Sequence, residues 1–269
     1  MVDRRQRVRR TYVQGRFGQM HLWTAKSATT KHPALLCFHV SPLSGHSFAD
    51  FIDQMSEDRL CIAPDTPGYG YSDAPDEPPD ISGYAAAMSD LLDSLEIEQA
   101  DVMGYATGSF LAAELARQRP DKIRRLVLFS APVFNEEDRA ILRGRFGDVI
   151  QPVSNGSHLI PLWHQVFDGR GPNQTVELCM FVYPEHIRAG DKKPWAPAAA
   201  FNCHLETILE QVDQPVLVAN IKTEVHNPSI RAGQYLKNGK VLELTDWGHG
   251  FLQTRTADTV SLVREFLDT

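Results

Sequence analysis

Short apolar runs alternate with stretches of helical periodicity along the first half of this chain. The apolar runs are residues 34–38, 60–63, 101–103 and 126–129. The helical stretches are residues 48–55, 81–95 and 111–117. Alternation of short strands with helices predicts crossover connections, and these in turn predict a parallel sheet. The sequence therefore predicts an α/β fold, with a mostly parallel central sheet and helices on both of its faces.

The alternation is interrupted once. Residues 133–208 contain helical stretches, aromatic residues and turn signals, but no clean strand pattern. The alternation then resumes with two predicted strands and a final helix, at residues 215–219, 241–244 and 259–267. We therefore predict one α/β core, made of residues 1–132 and 209–269, into which residues 133–208 are inserted as a helical cap.

The composition is that of an acidic globular protein. The chain has 269 residues, of which 42% are hydrophobic, and a formal net charge of -7, which argues against nucleic acid as a partner. No apolar run reaches the roughly 18 residues of a membrane helix, and no segment resembles a signal peptide, so we predict a cytoplasmic protein with no membrane partner. The four widely spaced cysteines favour free thiols, and the sequence predicts neither a metal nor a cofactor. A homodimer is left open.

One glycine pattern lies between a predicted strand and a predicted helix. Residues 104–108 read GYATG, with Gly104 and Gly108 two positions on either side of Ala106. A sharp turn in this place lifts the central side chain above the sheet, and the flanking glycines allow the chain segments to approach closely. The N–H groups at the start of the following helix favour negative charge at the same point.

Four segments, in the same order and spacing, resemble the motifs of the α/β-hydrolase superfamily. They are residues 39–44 (HVSPLS), 65–73 (DTPGYGYSD), 104–108 (GYATG) and 246–250 (DWGHG). The first resembles the family's His-Gly stretch, the second its D-x-P-G-x-G-x-S loop, the third its nucleophile elbow and the fourth its late Gly-His segment. The resemblance covers nearly the whole chain and implies the α/β-hydrolase fold with a cap.

The resemblance also implies a catalytic acid and a catalytic histidine. His249 matches the family's histidine, and Glu224 follows a predicted strand at the position of the family's acid. A carboxylate fixes the tautomer of such a histidine and stabilises its charged form. We expect Nε2 of His249 to face the Cβ atom of Ala106, and Glu224 to meet the other ring nitrogen.

Two backbone N–H groups, those of Ser41 and Thr107, are the implied oxyanion donors. Val40 stands where the family usually has a glycine, so the shape of the oxyanion loop departs from the family pattern. The resemblance gives His39 a structural role in fixing that loop. Direct contact with the ligand is the alternative, and His39 is kept among the candidate substrate-binding residues.

The cap is expected to supply a pocket for a small-molecule substrate. The candidate lining residues are His158, Trp163, Phe181 and Trp195, together with Phe167 and Tyr183. Aromatic side chains of this kind predict a largely apolar cavity.

Ala106 stands at the position where the family carries its nucleophile. A methyl group cannot attack a carbonyl or carry a proton, so we expect no covalent intermediate at this residue. Either alanine replaces a native nucleophile, most often serine, or the alanine is natural. The intact histidine and acid favour the first explanation. In the second, the pair of His249 and Glu224 acts as a general base without acyl transfer, or the pocket only binds a ligand.

The leading hypothesis is therefore a hydrolase that acts on an ester, a lactone or a carbon–carbon bond of a small organic molecule, inactivated here by the alanine. One alternative is a lyase or decarboxylase-like member that uses His249 and Glu224 without a covalent step. A ligand-binding receptor of the same fold is the other alternative. The natural residue at position 106 discriminates between these hypotheses.

Overall fold

The structure is a computed structural model that describes residues 7–26, 28–146, 149, 151–171 and 174–269. Its centre is a sheet of eight strands in the order β1-β2-β4-β3-β5-β6-β7-β8. The strands are β1 (Val8–Gly15), β2 (Gly18–Ala25), β3 (Ala34–Phe38), β4 (Cys61–Pro64), β5 (Ala100–Tyr105), β6 (Ile123–Phe129), β7 (Val216–Ile221) and β8 (Gly239–Leu244). All pairs from β4 to β8 are parallel, while β2 is antiparallel to both β1 and β4.

The central strands are buried on both faces because helices cover both sides of the sheet. In β3, Leu36 and Phe38 pack into one core cluster and Leu35 and Cys37 into the other, since successive side chains point to opposite faces. The uninterrupted apolar runs in the sequence have this cause. The predicted fold class is confirmed.

Eleven α-helices surround the sheet in the part of the chain that the structure describes. They are α1 (Ala49–Met55), α2 (Ile81–Ser94), α3 (Thr107–Gln118), α4 (Glu136–Phe146), α5 (Leu159–Asp168), α6 (Val176–Ala189), α7 (Trp195–Asn202), α8 (Leu205–Leu209), α9 (His226–Ile230), α10 (Phe251–Thr254) and α11 (Thr256–Leu267). Helices α2 and α3 contribute to one core cluster, and α1 and α11 to the other. None of the helices in the described ranges is long and apolar enough to span a bilayer.

The segment predicted to be a cap is helical. Between β6 and β7 its described residues form α4 to α8 and contribute no strand to the sheet. Side chains from these helices line the cavities above the end of β5. The division of the chain into a core and a cap at residues 133 and 208 stays a prediction.

The two N-terminal strands were not predicted. β1 reads VRRTYVQG and has no buried residue, because it is the edge strand of the sheet. An edge strand that faces solvent needs no apolar run, so periodicity gives little signal for it.

Candidate active site

The turn between β5 and α3 has the geometry of a strained elbow. Ala106 has φ 49° and ψ -108°, a conformation that L-residues rarely adopt. A Cβ atom on Gly104 would lie 2.3 Å from the carbonyl oxygen of Gly108, and one on Gly108 would lie 2.0 Å from that of Phe38. The two glycines are therefore required by close backbone approach. The turn places Ala106 at the carboxyl end of β5, in the wall of a cavity.

His249 and Glu224 form a hydrogen-bonded pair next to this turn. Nε2 of His249 lies 2.8 Å from Oε2 of Glu224, and their side chains are 31% and 22% exposed. Glu224 lies in the loop after β7 and His249 in the loop after β8, so adjacent strands bring them together. Burial alone would raise the pKa of Glu224, but the hydrogen bond from His249 and the charge of that ring when it is protonated outweigh it and lower that pKa to about 2. The acid is therefore ionised at neutral pH.

The other ring nitrogen of His249 meets Tyr105. The Tyr105 hydroxyl lies 2.6 Å from Nδ1. The expected orientation of the ring is therefore wrong: Nε2 faces Glu224, and Nδ1 faces Tyr105 rather than Ala106. The physical reason is that the methyl group of Ala106 offers no hydrogen-bonding atom, whereas the adjacent phenol does. Sequence reasoning missed Tyr105, although it directly precedes the central position of the elbow.

The two predicted oxyanion donors lie side by side. The N–H of Ser41, in the loop after β3, donates to Oγ1 of Thr107 at 2.8 Å, and that hydroxyl lies 3.2 Å from the Ser41 hydroxyl. Two cavities adjoin these residues. Ser41 lines both of them, and Thr107 lines the smaller one. Their role as oxyanion donors stays a prediction, and it requires the Thr107 hydroxyl to release the Ser41 N–H.

His39 does not reach the candidate site. Its side chain is buried, Nε2 accepts a hydrogen bond from the N–H of Thr66 at 3.0 Å, and Nδ1 lies 3.1 Å from the carbonyl oxygen of Val40. Burial lowers its pKa, so the ring is neutral, with its proton on Nδ1. His39 ties two loops together and lies in the wall of neither cavity, so its contact with a ligand stays a prediction.

Two adjoining cavities meet at the His249–Glu224 pair. The larger has a volume of about 150 Å³ and the smaller of about 60 Å³. Ser41, Tyr105, Glu224 and His249 line both, while Ala106 lines only the smaller one. A ligand that extends into both cavities would therefore lie next to His249.

The smaller cavity is mainly apolar. Apart from the residues shared with the larger cavity, its wall is built largely from hydrophobic side chains of the core and the cap. These residues are Phe110, Pro132, Phe134, Ala200, Phe201 and Val225. The larger cavity carries three cationic side chains among its described lining residues, namely Arg145, Arg170 and Lys193. The two halves of the site thus differ in charge.

Of the aromatic residues predicted to line the pocket, one lies in the wall of a cavity. Phe181 lines the larger cavity. Trp163 stacks on Phe167 and packs against Tyr183, so these three rings pack among themselves within the cap. His158 accepts a hydrogen bond from the N–H of Val153 in a cap loop.

Trp195 packs over the 65–73 loop instead of lining a cavity. Its ring lies beside Gly68 and within 5.5 Å of Nζ of Lys192. His158, Trp163 and Trp195, like Phe167 and Tyr183, lie in the wall of neither cavity, and their contact with a substrate stays a prediction. The residue type of these aromatic side chains predicts that they are buried, but it does not predict which neighbouring residues bury them.

Lys193 and His186 are lining residues that sequence reasoning missed. The Nζ atom of Lys193 donates to the amide oxygen of Gln165 at 2.7 Å, and its side chain is buried. Nδ1 of His186 is buried and has no hydrogen-bond partner among the described residues. Burial and then the charge of Lys193 lower the pKa of His186 to about 3, so this ring is neutral. No cluster of three or more potential metal ligands occurs in the described ranges.

The fold agrees with the comparisons to known proteins. The family model described as alpha/beta hydrolase fold matches residues 33–151. The enol-lactonase from Burkholderia xenovorans LB400 superposes with a TM-score of 0.79 at 17% identity, over 96% of this chain and 100% of that one. The chain thus has the α/β-hydrolase fold, as the motifs predicted, and residues 33–151 are similar to the α/β-hydrolase family.

Curated relatives match parts of the chain. A poly(3-hydroxyalkanoate) depolymerase from Ectopseudomonas oleovorans is 27% identical over 226 residues, which are 81% of this chain and 78% of that protein. An uncharacterized protein from Mycobacterium bovis is 31% identical over 111 residues, 41% of this chain. The chain covers only 33% of the length of that mycobacterial protein.

Proposed function

We propose that this chain hydrolyses an ester or lactone bond in a small organic molecule that carries an anionic group. Glu224 and His249 are the acid–base pair of the reaction, and no covalent intermediate forms at Ala106. One observation carries the proposal. The hydrogen-bonded pair lies at the junction of an apolar and a cationic cavity, beside a methyl group in place of a nucleophile.

Direct attack by water replaces the covalent step. Ala106 lines a cavity of about 60 Å³, and a water molecule needs only about 10–15 Å³ of such space. A water beside Ala106 occupies the region from which a longer side chain at the elbow would attack. The His249–Glu224 pair takes up the proton that this water loses, and Glu224 stabilises the resulting imidazolium.

The charge of the two cavities supports the substrate class. Lys193 is a buried cation in the wall of the larger cavity, and Arg145 and Arg170 lie in the same wall. An anionic group of the ligand is attracted to these cations, while its apolar part fills the smaller cavity. Ester bonds also occur in poly(3-hydroxyalkanoates) and in enol-lactones, the compounds that appear in the names of the depolymerase and the lactonase.

A pair of matched esters tests the substrate class. Mono-p-nitrophenyl glutarate carries a carboxylate, and p-nitrophenyl butanoate is a neutral ester of similar size. We expect the chain to prefer the anionic ester, and Lys193→Met to raise its KM by about tenfold or more, because a hydrogen bond to a charged group contributes about 1.5–3 kcal/mol. Glu224→Gln and His249→Ala should remove the hydrolysis of both esters.

Lys192→Met is the matched control, because Lys192 pairs with Asp191 and does not line the cavity. It should leave both KM values unchanged. A Lys193→Met variant that raises the two KM values equally would contradict the anionic substrate class. A wild-type chain that hydrolyses neither ester nor the matching lactones would contradict hydrolysis itself.

A second candidate is favoured by the backbone of Ala106. Its positive φ and the close glycine contacts around it are the features that hold a nucleophilic side chain above a sheet. With serine at position 106 the same fold would carry out acyl transfer, and the present chain would bind substrate without cleaving it. Ala106→Ser distinguishes this candidate from direct attack by water.

A further inference from the structure

We infer that Tyr105 is a catalytic residue, the hydroxyl through which His249 exchanges protons with the attacking water and the leaving group. The inference rests on the proposed function and names the atom through which the His249–Glu224 pair acts. It starts from an ordered chain of three side chains, a carboxylate, an imidazole and a phenol. The two contacts that link them are 2.8 Å and 2.6 Å long.

The direction of the two hydrogen bonds follows from the groups themselves. An ionised carboxylate only accepts, so Nε2 of His249 carries the hydrogen that is donated to Glu224. In a neutral imidazole the other nitrogen is then an acceptor, and the Tyr105 hydroxyl donates to Nδ1. Tyr105 thus stands to His249 as the nucleophile hydroxyl stands to histidine in a Ser-His-Asp triad. In this chain the residue beside the elbow's central position supplies the hydroxyl.

The position of Tyr105 suits a proton relay. It is the last residue of β5 and lines both cavities, as His249 does. Its ring is held edge-on against Phe251, with centroids 5.2 Å apart, and the residue is only 4% exposed. The hydroxyl is therefore fixed at the junction of the two cavities, next to Ala106 in the chain.

The proposed steps balance. The oxygen of a water molecule bonds to the ester carbonyl carbon, and the π electron pair moves onto the carbonyl oxygen. As that bond forms, a water proton passes to Oη of Tyr105, and the proton of Tyr105 passes to Nδ1 of His249. The carbonyl then re-forms and the bond to the leaving oxygen breaks. The proton returns from Nδ1 through Tyr105 to that oxygen, so that water and ester give acid and alcohol and the side chains are restored.

Burial explains why the proton passes through Tyr105 without leaving a tyrosinate behind. Burial, together with the charge of Glu224, raises the pKa of Tyr105 well above its usual value. A free tyrosinate is therefore unfavourable in this place. Transfer of two protons in one step avoids it, because the phenol gains one proton as it loses the other.

The direct test is Tyr105→Phe, with Tyr84→Phe as the matched control. Tyr84 is equally buried, and its hydroxyl has no hydrogen-bond partner among the described residues. With mono-p-nitrophenyl glutarate, Tyr105→Phe should lower kcat by about 100-fold or more with little change in KM, the usual size of an acid–base contribution. Tyr84→Phe should leave kcat unchanged. A Tyr105→Phe variant with the wild-type kcat overturns the inference.

Two further readouts separate a relay from a structural role. In mixtures of light and heavy water, wild-type kcat should depend on the deuterium fraction along a curve, because two protons move in one step, and a straight line contradicts the relay. NMR of the His249 ring nitrogens should show hydrogen on Nε2, with an Nδ1 signal that shifts in Tyr105→Phe. Hydrogen on Nδ1 of the neutral ring would make Tyr105 an acceptor and overturn the inference without any activity measurement.

The outcomes also distinguish this inference from the function on which it rests. A wild-type chain that cleaves no ester or lactone refutes the proposed function. A wild-type chain that cleaves the ester, loses this activity in His249→Ala and keeps it in Tyr105→Phe refutes the role of Tyr105 alone.

Discussion

The backbone N–H of Ser41 donates to the side-chain hydroxyl of Thr107 across 2.8 Å. The Ser41 N–H, one predicted oxyanion donor, is thus bound to the side chain of Thr107, whose own N–H is the other predicted donor. A donor contributes to catalysis only when it points at the oxygen on which charge develops. The Thr107 hydroxyl therefore competes with the oxyanion for the hydrogen bond that the Ser41 N–H donates.

Removing that hydroxyl should strengthen the binding of a transition-state analogue. In Thr107→Val the Ser41 N–H no longer has its internal partner, and a neutral hydrogen bond of this kind contributes about 1 kcal/mol. We expect a short-chain alkylphosphonate to bind about fivefold more tightly, as measured by isothermal titration calorimetry. Thr107→Ser keeps the hydroxyl and should match the wild type. Weaker binding in Thr107→Val would show that the hydroxyl itself holds the ligand.

His186 should make the stability of the protein depend on pH. Its folded-state pKa is about 3, lowered by burial and by Lys193, whereas an unfolded chain has a histidine pKa of about 6.5. Between these values the unfolded state binds more protons, so the free energy of unfolding falls as the pH decreases from about 6.5 towards 3. His186→Gln cannot titrate. Urea unfolding at neutral and at acidic pH should therefore show that this variant loses less of its free energy of unfolding on acidification than the wild type does. An equal loss in the two proteins would contradict the lowered pKa of His186.

Two glycine-to-alanine substitutions should have opposite effects on stability. In Gly108→Ala the new Cβ atom would meet the carbonyl oxygen of Phe38 at 2.0 Å, and overpacking of this kind costs about 1–3 kcal/mol or more. Gly144 lies within α4, and no atom lies within 4 Å of the position that its Cβ would take. Alanine there should therefore raise the free energy of unfolding by as much as about 1 kcal/mol. Denaturant midpoints for both variants check this expectation, which a tolerated Gly108→Ala would contradict.

Apolar runs in the sequence predicted the strands β3 to β8, all of which except β8 are mostly buried. The run at residues 34–38 was recognised because neither face of β3 meets solvent. β1 was missed because an edge strand carries polar residues on its exposed surface. Spacing along the chain also brought Glu224 and His249 together, since both follow adjacent parallel strands.

The rest of the site depends on side-chain orientations that spacing does not determine. The reversed ring of His249 follows from the absence of a polar atom on Ala106 and the presence of a phenol at Tyr105. Trp163 was expected at the pocket, but it packs on rings of its own cap. Lys193 gave no signal as a lining residue because most lysines face solvent.

In the mechanism proposed above, the chain hydrolyses its substrate without a nucleophile at position 106. The most direct measurement is the pre-steady-state hydrolysis of mono-p-nitrophenyl glutarate by the wild type, His249→Ala, Ala106→Ser and the double variant. We expect steady wild-type turnover without a burst of nitrophenol and loss of turnover in His249→Ala. Ala106→Ser should bring no gain, because the serine side chain takes the space of the attacking water. The contradicting result is an inert wild type beside an Ala106→Ser variant that shows a burst and turns over orders of magnitude faster, with the gain abolished in the double variant.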